Sequence, residues 1–534
     1  MSDELQIGPE DFEEVGLDPA LLERQFGRKD FLFNTAKITA AAAAAGPFFM
    51  AAKQARAAEA ASLGGDPIAT NAAKAANKNF HGVGITRIAE AGLQALEPKN
   101  FSGPLWKKLT GGNVSVVEAP FPEIFSKSVA EHIAKSGALD VIDTSPAWVP
   151  DFADRGVIIP VDELVAKYKA QATFADLHPL YRALSKYKGK TWGFFDDGDV
   201  WNLYYRKDIF GDAKLKKAYK AKFKRDLRIP QGWDEFDETA KFITDQLAPK
   251  VYGSGEGRAL GNPGNQFYFF QQFRNAGGQF FNPQTMKAQI NDAHGVKAMT
   301  DIMKEVKLSA PGIEKLDFIS SWGLWLNGKT AMIYAWPPTG RISENYAQRD
   351  KAFAFLPKSK IVGKVGYALM PGKNGEHAGS FIQCVSADSK NKEAAFLYAL
   401  WCTSPSISLQ RVMLPYTLRD PYRISHYKSK AYRALWPSAK EYLIALANAA
   451  NYAVIDMQMT GAADYANALD REMTAIYAGK DIKKGLDDAA KEWDSITNKL
   501  GVANQRKAYA EFLKLPGATA KNTIAKLGLA VHIT

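Results

Sequence analysis

A short acidic stretch is the most chemically suggestive part of the sequence. Asp196, Asp197 and Asp199 lie within four residues of one another, shortly before Trp201. Ionised carboxylates form strong hydrogen bonds, so this stretch suits the hydroxyl groups of a sugar or polyol. A calcium loop would need a longer array of acidic ligands and a closing glutamate. We therefore predict ligand-binding carboxylates here and no metal site.

A second group of polar residues follows a predicted strand. Asp143, Thr144 and Ser145 come directly at its end, and Trp148 lies just beyond. Ligands of parallel α/β sheets bind beyond the carboxyl ends of the strands. We therefore include all four residues among the candidate ligand-binding residues.

Tryptophans supply the third kind of candidate. The flat face of an aromatic ring suits the apolar C–H side of a sugar ring in a cleft. Large aromatic residues are also highly buried on average, so each candidate has a packing role as its alternative. The candidates are Trp148, Trp201, Trp322 and Trp336.

The sequence gives no support for catalytic or metal chemistry. It has only two cysteines, Cys384 and Cys402, in a predicted buried strand and a predicted buried helix, and its seven histidines do not cluster. Zinc sites and redox pairs need closer or more numerous ligands. No nucleophile elbow or zinc-protease motif occurs. We predict no enzyme activity, no catalytic residues and no cofactor.

The elements that must position these residues alternate along the chain. The predicted strands are 80–85, 112–118, 138–143, 328–336, 353–356 and 381–386, and the predicted helices include 88–96, 124–135, 293–306 and 322–327. Strands alternating with helices indicate a parallel α/β sheet. The chain has 534 residues, a length at which two lobes are expected.

The positive charge does not indicate nucleic-acid binding. The net charge is +11, and the densest basic run is 214–228. Nucleic-acid binding would need a recognisable module around such a run, and none is present. We interpret the run as a solvated surface segment.

The N-terminus has the layout of an export signal. A basic start is followed by an uncharged run, 38–52, and then by Ala55-Arg56-Ala57, which has small residues at the spacing that signal peptidase cleaves. Residues 28–32 resemble the twin-arginine motif, with Lys29 in place of the second arginine. We expect residues 1–57 to be removed and the mature protein to lie in the periplasm.

Ordered motifs over about residues 80–500 resemble the family 1 extracellular solute-binding proteins of ABC importers, which include the maltose-binding and glycerol-3-phosphate-binding proteins. The matching segments are 140–142 (DVI), 156–162 (GVIIPVD), 204–210 (YYRKDIF), 231–236 (QGWDEF), 277–278 (GG), 328–332 (GKTAM), 370–372 (MPG), 389–395 (SKNKEAA) and 489–493 (AAKEW). Two departures are Leu326 and the segment 379–381, and extra length falls near 411–452.

The resemblance implies two α/β lobes with a ligand cleft between them. The chain would cross between the lobes near Asp197, Tyr334 and Val385. The first lobe would comprise 58–196 with 335–384, and the second 197–334 with 385–534. Trp336 would stack on the ligand, and closure would occur by hinge motion.

The resemblance also implies a monomer that delivers a small molecule to an ABC permease. A neutral sugar or polyol is favoured by the aromatic residues. A polyamine and a phosphorylated polyol are the alternatives within the family. An exported carbohydrate-active enzyme is the alternative outside it, and Tyr204-Tyr205 is interpreted as a packing pair rather than an iron site.

Overall fold

The structure is a computed structural model that describes residues 66–259, 265–377 and 379–534. The strands are β1 (Ile85–Glu90), β2 (Val114–Ala119), β3 (Val141–Thr144), β4 (Lys186–Tyr187), β5 (Lys190–Thr191), β6 (Phe194–Phe195), β7 (Asn202–Arg206), β8 (Met332–Ala335), β9 (Val365–Ala368), β10 (Glu376–His377), β11 (Ile382–Val385) and β12 (Val454–Ile455). The predicted export signal lies outside the described residues.

The helices of the first half, in chain order, are α1 (Pro67–Phe80), α2 (Leu93–Glu97), α3 (Gly103–Thr110), α4 (Phe121–Ala134), α5 (Val149–Arg155), α6 (Asp162–Lys167), α7 (Pro179–Leu184), α8 (Lys207–Gly211), α9 (Ala213–Phe223), α10 (Trp233–Leu247) and α11 (Asn265–Asn275). Those of the second half are α12 (Ala293–Leu308), α13 (Phe318–Leu326), α14 (Pro338–Ser343), α15 (Lys392–Cys402), α16 (Pro405–Met413), α17 (Ile424–Lys428), α18 (Lys430–Arg433), α19 (Ala439–Tyr452), α20 (Ala462–Tyr477), α21 (Ile482–Leu500) and α22 (Val502–Lys514).

The first lobe is built on a five-stranded sheet in the order β2-β1-β3-β11-β6. Strands β1, β2 and β3 are parallel, and β11 runs antiparallel to both β3 and β6. Parallel strands need crossover connections, which here contain helices. The predicted α/β fold class is confirmed.

Both faces of this sheet are covered, because successive residues of a strand point to opposite faces. Val141 packs into an apolar cluster with residues of α1, α3 and α15, whereas Ile142 packs into another with residues of α4 and α5. The sheet is therefore held between two helical layers, which fixes the positions of the strand ends.

The second lobe is built on a three-stranded antiparallel sheet in the order β8-β7-β9. Tyr204 and Ile333 belong to an apolar cluster that includes residues of α13 and α14. Leu203 and Tyr334 face the opposite way, into the largest cluster of the molecule. Helices α20 and α21 pack against each other and against α11 and α12, so the C-terminal helices enlarge this lobe.

The strand pairings correct the predicted lobe boundaries. Strand β9, within the predicted first-lobe segment 335–384, pairs with β7 of the second lobe. Helix α15, within the predicted second-lobe segment 385–534, packs against α1 of the first lobe. Val385 itself lies in the five-stranded sheet.

Over the described residues, the strand order shows two passages of the chain between the two sheets. The first is the segment 196–201 between β6 and β7, beside Asp197. The second lies between β9 and β11 rather than at Tyr334, because β8 and β9 flank β7. Helix α16 follows β11 and α15 and joins two apolar clusters, because Ile407 packs with the first-lobe cluster and Val412 with the largest cluster.

Some predicted elements are displaced. Strand β1 starts at Ile85, whereas the prediction ends the strand there, because Phe80 is still the last residue of α1. Part of the predicted helix 88–96 is therefore strand. The predicted strand 353–356 is wrong, because a short helical turn, Lys351–Phe353, leads directly into a turn there. No helix among the described residues combines the length and apolar character needed to cross a membrane.

Candidate functional site

A cavity lies between the two sheets. Glu90, the last residue of β1, and Gln94 on α2 line it from the first lobe. Trp322 on α13 and Trp336, which directly follows β8, line it from the second lobe. Asp199 reaches it from the first crossing segment. The cavity is therefore enclosed by both lobes and by a connection between them.

Trp336 is the tryptophan of the cavity wall that retains partial exposure. Its ring packs edge-on against Trp201, with 5.1 Å between the ring centroids, and lies 5.4 Å from Phe318. Trp201 is fully buried and is absent from the cavity lining, so it supports Trp336 from behind. Trp322 is 1% exposed, and its Nε1 donates to the hydroxyl of Thr339 over 2.8 Å.

Asp143 and Asp196 are bound by arginines inside the protein. Arg87 Nη2 donates to Asp143 Oδ2 over 2.7 Å and to Asp196 Oδ2 over 2.9 Å. Arg419 also pairs with both carboxylates, and Arg411 pairs with Asp196. Burial opposes ionisation of Asp196, but the guanidinium groups of Arg411, Arg419 and Arg87 outweigh it and lower the pKa of the carboxyl group.

Asp197, Asp199 and Asp420 form a second carboxylate group. One oxygen from each lies within 4.8 Å of the other two. Asp197 accepts hydrogen bonds from the Asp420 N–H over 2.7 Å and from Gln94 Nε2 over 3.0 Å. Arg341 donates to Asp420 over 2.8 Å. Only Asp199 of this group lines the cavity.

Burial governs the ionisation of the carboxyl groups nearest the cavity. It raises the pKa of Asp199 well above its ordinary value, and the like charges of Asp197 and Asp420 act in the same direction. Burial also raises the pKa of Asp420 to about 7 despite Arg341, and that of Glu90 to about 7 despite Arg419.

Ser145 and Trp148 line a different cavity, of about 640 Å³. Phe121 is part of both cavity walls, and its ring centroid lies 4.8 Å from that of Trp148. Ser145 also accepts a hydrogen bond from the Ala147 N–H at the start of a short helical turn. Thr144 is buried at the end of β3 and lines neither cavity.

Several residues of the cavity wall were missed by sequence reasoning. Glu90 would have been a candidate by the strand-end rule, but the predicted strand stopped at Ile85. Phe381, which lines the cavity, stands in a segment that the sequence marked only as a departure from the family motif. Leu418, which lines the cavity, and Asp420, which belongs to the neighbouring carboxylate group, come from the extra segment 411–452, for which the motifs give no guide.

The comparison with protein families is decisive for the class of protein. Residues 88–407 match the family described as bacterial extracellular solute-binding protein. The chain belongs to this family. It is thus a solute-binding protein, and its relatives are binding proteins of ABC transporters rather than enzymes.

One curated relative of this solute-binding protein is the probable amino-acid ABC transporter periplasmic-binding protein y4oP of Sinorhizobium fredii. It is 25% identical over 356 residues, which cover 64% of this chain and 73% of the relative. The match extends over most of both proteins.

Solved structures of similar proteins share the two-lobed fold. An ABC transporter solute-binding protein of Agrobacterium radiobacter in complex with ribitol has a TM-score of 0.65 and 21% identity, and covers 78% of this chain and 99% of its own. A solute-binding protein from Agrobacterium vitis with bound D-mannitol has a TM-score of 0.63 and 22% identity, and covers the same shares of both chains. Maltose-bound MalE3 of T. maritima has a TM-score of 0.61 and 19% identity, and covers 78% of this chain and 100% of its own.

Proposed function

We propose that this solute-binding protein captures a sugar or polyol in the cavity between its lobes and delivers it to the permease of an ABC importer. The observation that carries the proposal is the wall itself, which combines the partly exposed ring of Trp336 with the hydrogen-bonding groups of Asp199, Glu90 and Gln94. A flat aromatic surface beside a few polar groups suits a molecule with apolar C–H faces and hydroxyl edges.

The identity of the wall residues also argues against negatively charged ligands. A phosphorylated polyol would need arginines, lysines or a helix N-terminus at the anion, and the lining that the structure describes contains no arginine or lysine. The same reasoning applies to the carboxylate of an amino acid, the class named for the curated relative. The ribitol, mannitol and maltose of the structural relatives are uncharged, which supports the sugar or polyol assignment.

Ligand capture would draw the lobes together. Glu90 and Gln94 lie on one lobe and Trp336 on the other, so a ligand that touches all three bridges the lobes. Hinge closure about crossing segments such as 196–201 would complete these contacts. Small-angle scattering should show a smaller radius of gyration when the ligand is bound.

A ligand screen tests the proposal directly. A ligand that binds only the native state raises the midpoint of thermal unfolding. We expect the purified protein to be stabilised by at least one sugar or polyol from a panel containing ribitol, mannitol and maltose, together with phosphorylated polyols and polyamines. Stabilisation by phosphorylated polyols alone would contradict the proposal.

We also propose that the protein is exported to the periplasm as a monomer after removal of residues 1–57. The layout of the N-terminal sequence supports cleavage after Ala57. N-terminal sequencing of the periplasmic protein should begin at Ala58, and size-exclusion chromatography with light scattering should give the mass of one chain. An intact Met1 or Ser2 terminus in the cytoplasm would contradict the export proposal.

A further inference from the structure

The carboxyl groups around the cavity outnumber their positively charged partners. Arg341 pairs with Asp420, and the closest approach of Arg419 to Asp197 is 3.9 Å. For Asp199, by contrast, the described parts of the chain contain no lysine or arginine within ion-pairing distance. The same is true of Glu90, the other carboxyl group of the cavity wall. Neither carboxyl group of the cavity wall thus forms an ion pair with a described lysine or arginine, although the charge of Arg419 still acts on Glu90.

An independent feature of the same wall is a buried acceptor that lacks a donor. Gln94 is 4% exposed, and its Nε2 donates to Asp197 Oδ2 over 3.0 Å. This bond fixes the orientation of the amide, since a carboxylate accepts and the NH₂ group donates. Gln94 Oε1 then has no hydrogen-bond partner within the described residues. A buried acceptor left without a donor is unfavourable, so a ligand that donates here gains affinity.

The polar groups of the wall thus all require a hydrogen-bond donor from the ligand. Asp199, Glu90 and Gln94 Oε1 all accept hydrogen bonds, and the two carboxyl groups in addition favour positive charge. An ammonium group has three donors and no acceptor. Aromatic rings complete the surroundings, with Trp336 and Phe318 in the same wall, and ring faces attract organic cations.

A divalent metal ion fits this arrangement less well. Both oxygens of Asp197 already accept hydrogen bonds, from the Asp420 N–H and from Gln94. Calcium takes six to eight oxygen ligands, whereas the cavity wall offers only the oxygens of Glu90, Gln94 and Asp199 among apolar and aromatic neighbours. An organic cation uses the aromatic part of the wall, which a metal ion would leave without a role.

We propose that the ligand carries a protonated amine beside its hydroxyl groups, as in an amino sugar or an amino polyol, and that this amine binds to Asp199, Glu90 and Gln94. The inference rests on the proposed function, because it assigns the chemistry of the same cavity. Burial raises the pKa of both carboxyl groups, and an ammonium group would stabilise their ionised forms.

The proposal can be tested with matched compounds that differ in whether they carry an amine, a hydroxyl or an acetylated nitrogen at one position. The titrations use glucose, glucosamine and N-acetylglucosamine as one set, and sorbitol and 1-amino-1-deoxysorbitol as another. We expect the amine of at least one set to bind ten-fold or more tightly than its hydroxyl partner, and acetylation to remove that gain. Equal or tighter binding of the neutral compounds would overturn this inference while leaving the proposed function intact.

Two further probes complete the test. Binding of putrescine without any sugar or polyol, neutral or amine-bearing, would contradict both the inference and the proposed function. Tight calcium binding that the amines do not displace would favour the metal alternative and overturn the inference. Failure of every amine in the panel to bind would overturn it as well.

Variants identify the residues responsible for the preference for an amine. Asp199→Asn should lower the ratio of amine affinity to neutral-partner affinity by ten-fold or more. Asp226→Asn, at an exposed aspartate, is the matched control and should leave this ratio unchanged. Circular dichroism checks folding, and Glu90→Gln provides the same test if Asp199→Asn fails to fold. An unchanged amine preference in a folded variant of either residue would overturn the assignment.

Discussion

Asp196 and Asp199 stand three residues apart on the same crossing segment, yet their surroundings differ completely. Asp196 is held by Arg87, Arg411 and Arg419, which lower its pKa. Asp199 lines the cavity, and burial raises its pKa. The comparison shows that neighbouring arginines decide whether a carboxyl group near the cleft is ionised and paired inside the protein or remains without an ion-pair partner. Asp196 is taken up by ion pairs inside the protein, whereas Asp199 lies at the cavity wall, where we propose that the ligand binds.

The strongest test of this contrast is the stability of the protein without ligand. Asp196→Asn removes the common partner of three buried arginines, and breaking a buried ion pair from one side costs about 3–5 kcal/mol. Asp199→Asn replaces a carboxyl group that is disfavoured in its charged form, so we expect a change of less than about 1 kcal/mol in either direction. Urea denaturation at pH 7 measures both. Equal losses in the two variants would refute the division of roles.

The next largest effect concerns affinity rather than stability. Trp336→Ala should weaken binding of the ligand found by screening by about 2 kcal/mol or more, as truncation of buried aromatic anchors does. Trp336→Phe retains a ring and should lose less. Titration calorimetry on protein shown to be folded by circular dichroism measures the difference. Wild-type affinity in Trp336→Ala would assign this ring to packing alone.

The smallest effect is a dependence of stability on pH. Burial raises the pKa of Glu90 from 4.5 to about 7, so the folded state retains a proton that the unfolded state releases. The stability associated with this proton is complete below pH 4.5 and is lost as the pH rises through 7. The full shift corresponds to about 3 kcal/mol, and solvent screening of the partly exposed side chain reduces the expected loss of the wild type relative to Glu90→Gln to about 1 kcal/mol.

Urea denaturation between pH 4.5 and pH 8 gives the required curves. Glu441→Gln, at an exposed glutamate outside the cavity, serves as the control and should follow the wild type. Parallel curves for wild type and Glu90→Gln would show that Glu90 is as well solvated in the folded chain as in the unfolded one.

Local patterns predict the fold better than the site. The alternation of strands and helices was sufficient for the α/β class, and Asp199, Trp322 and Trp336 do line the cavity. The lobe boundaries were placed wrongly because β9 pairs with β7 across 159 residues of chain (365 − 206), and no local pattern encodes such a pairing. Likewise the charges of Arg411 and Arg419 bear on Asp196 only after folding.

The segment 411–452 illustrates the same limit. In sequence it is merely additional length, without a motif. In the structure it contributes Asp420 to the carboxylate group and Leu418 to the cavity wall. A residue whose partners lie more than two hundred positions away, as Asp420 does from Asp197, carries no sequence signal of its role.

The two cysteines have a practical consequence. Cys384 on β11 and Cys402 on α15 are both reduced and fully buried, and burial raises the pKa of each thiol. Neither reacts readily in the native state, since the thiolate is the nucleophile. A cysteine introduced on the surface of each lobe would therefore be modified selectively, without removal of the natural thiols. Paired fluorophores at such positions would turn the opening and closing of the cleft into a distance signal that can be followed in single molecules.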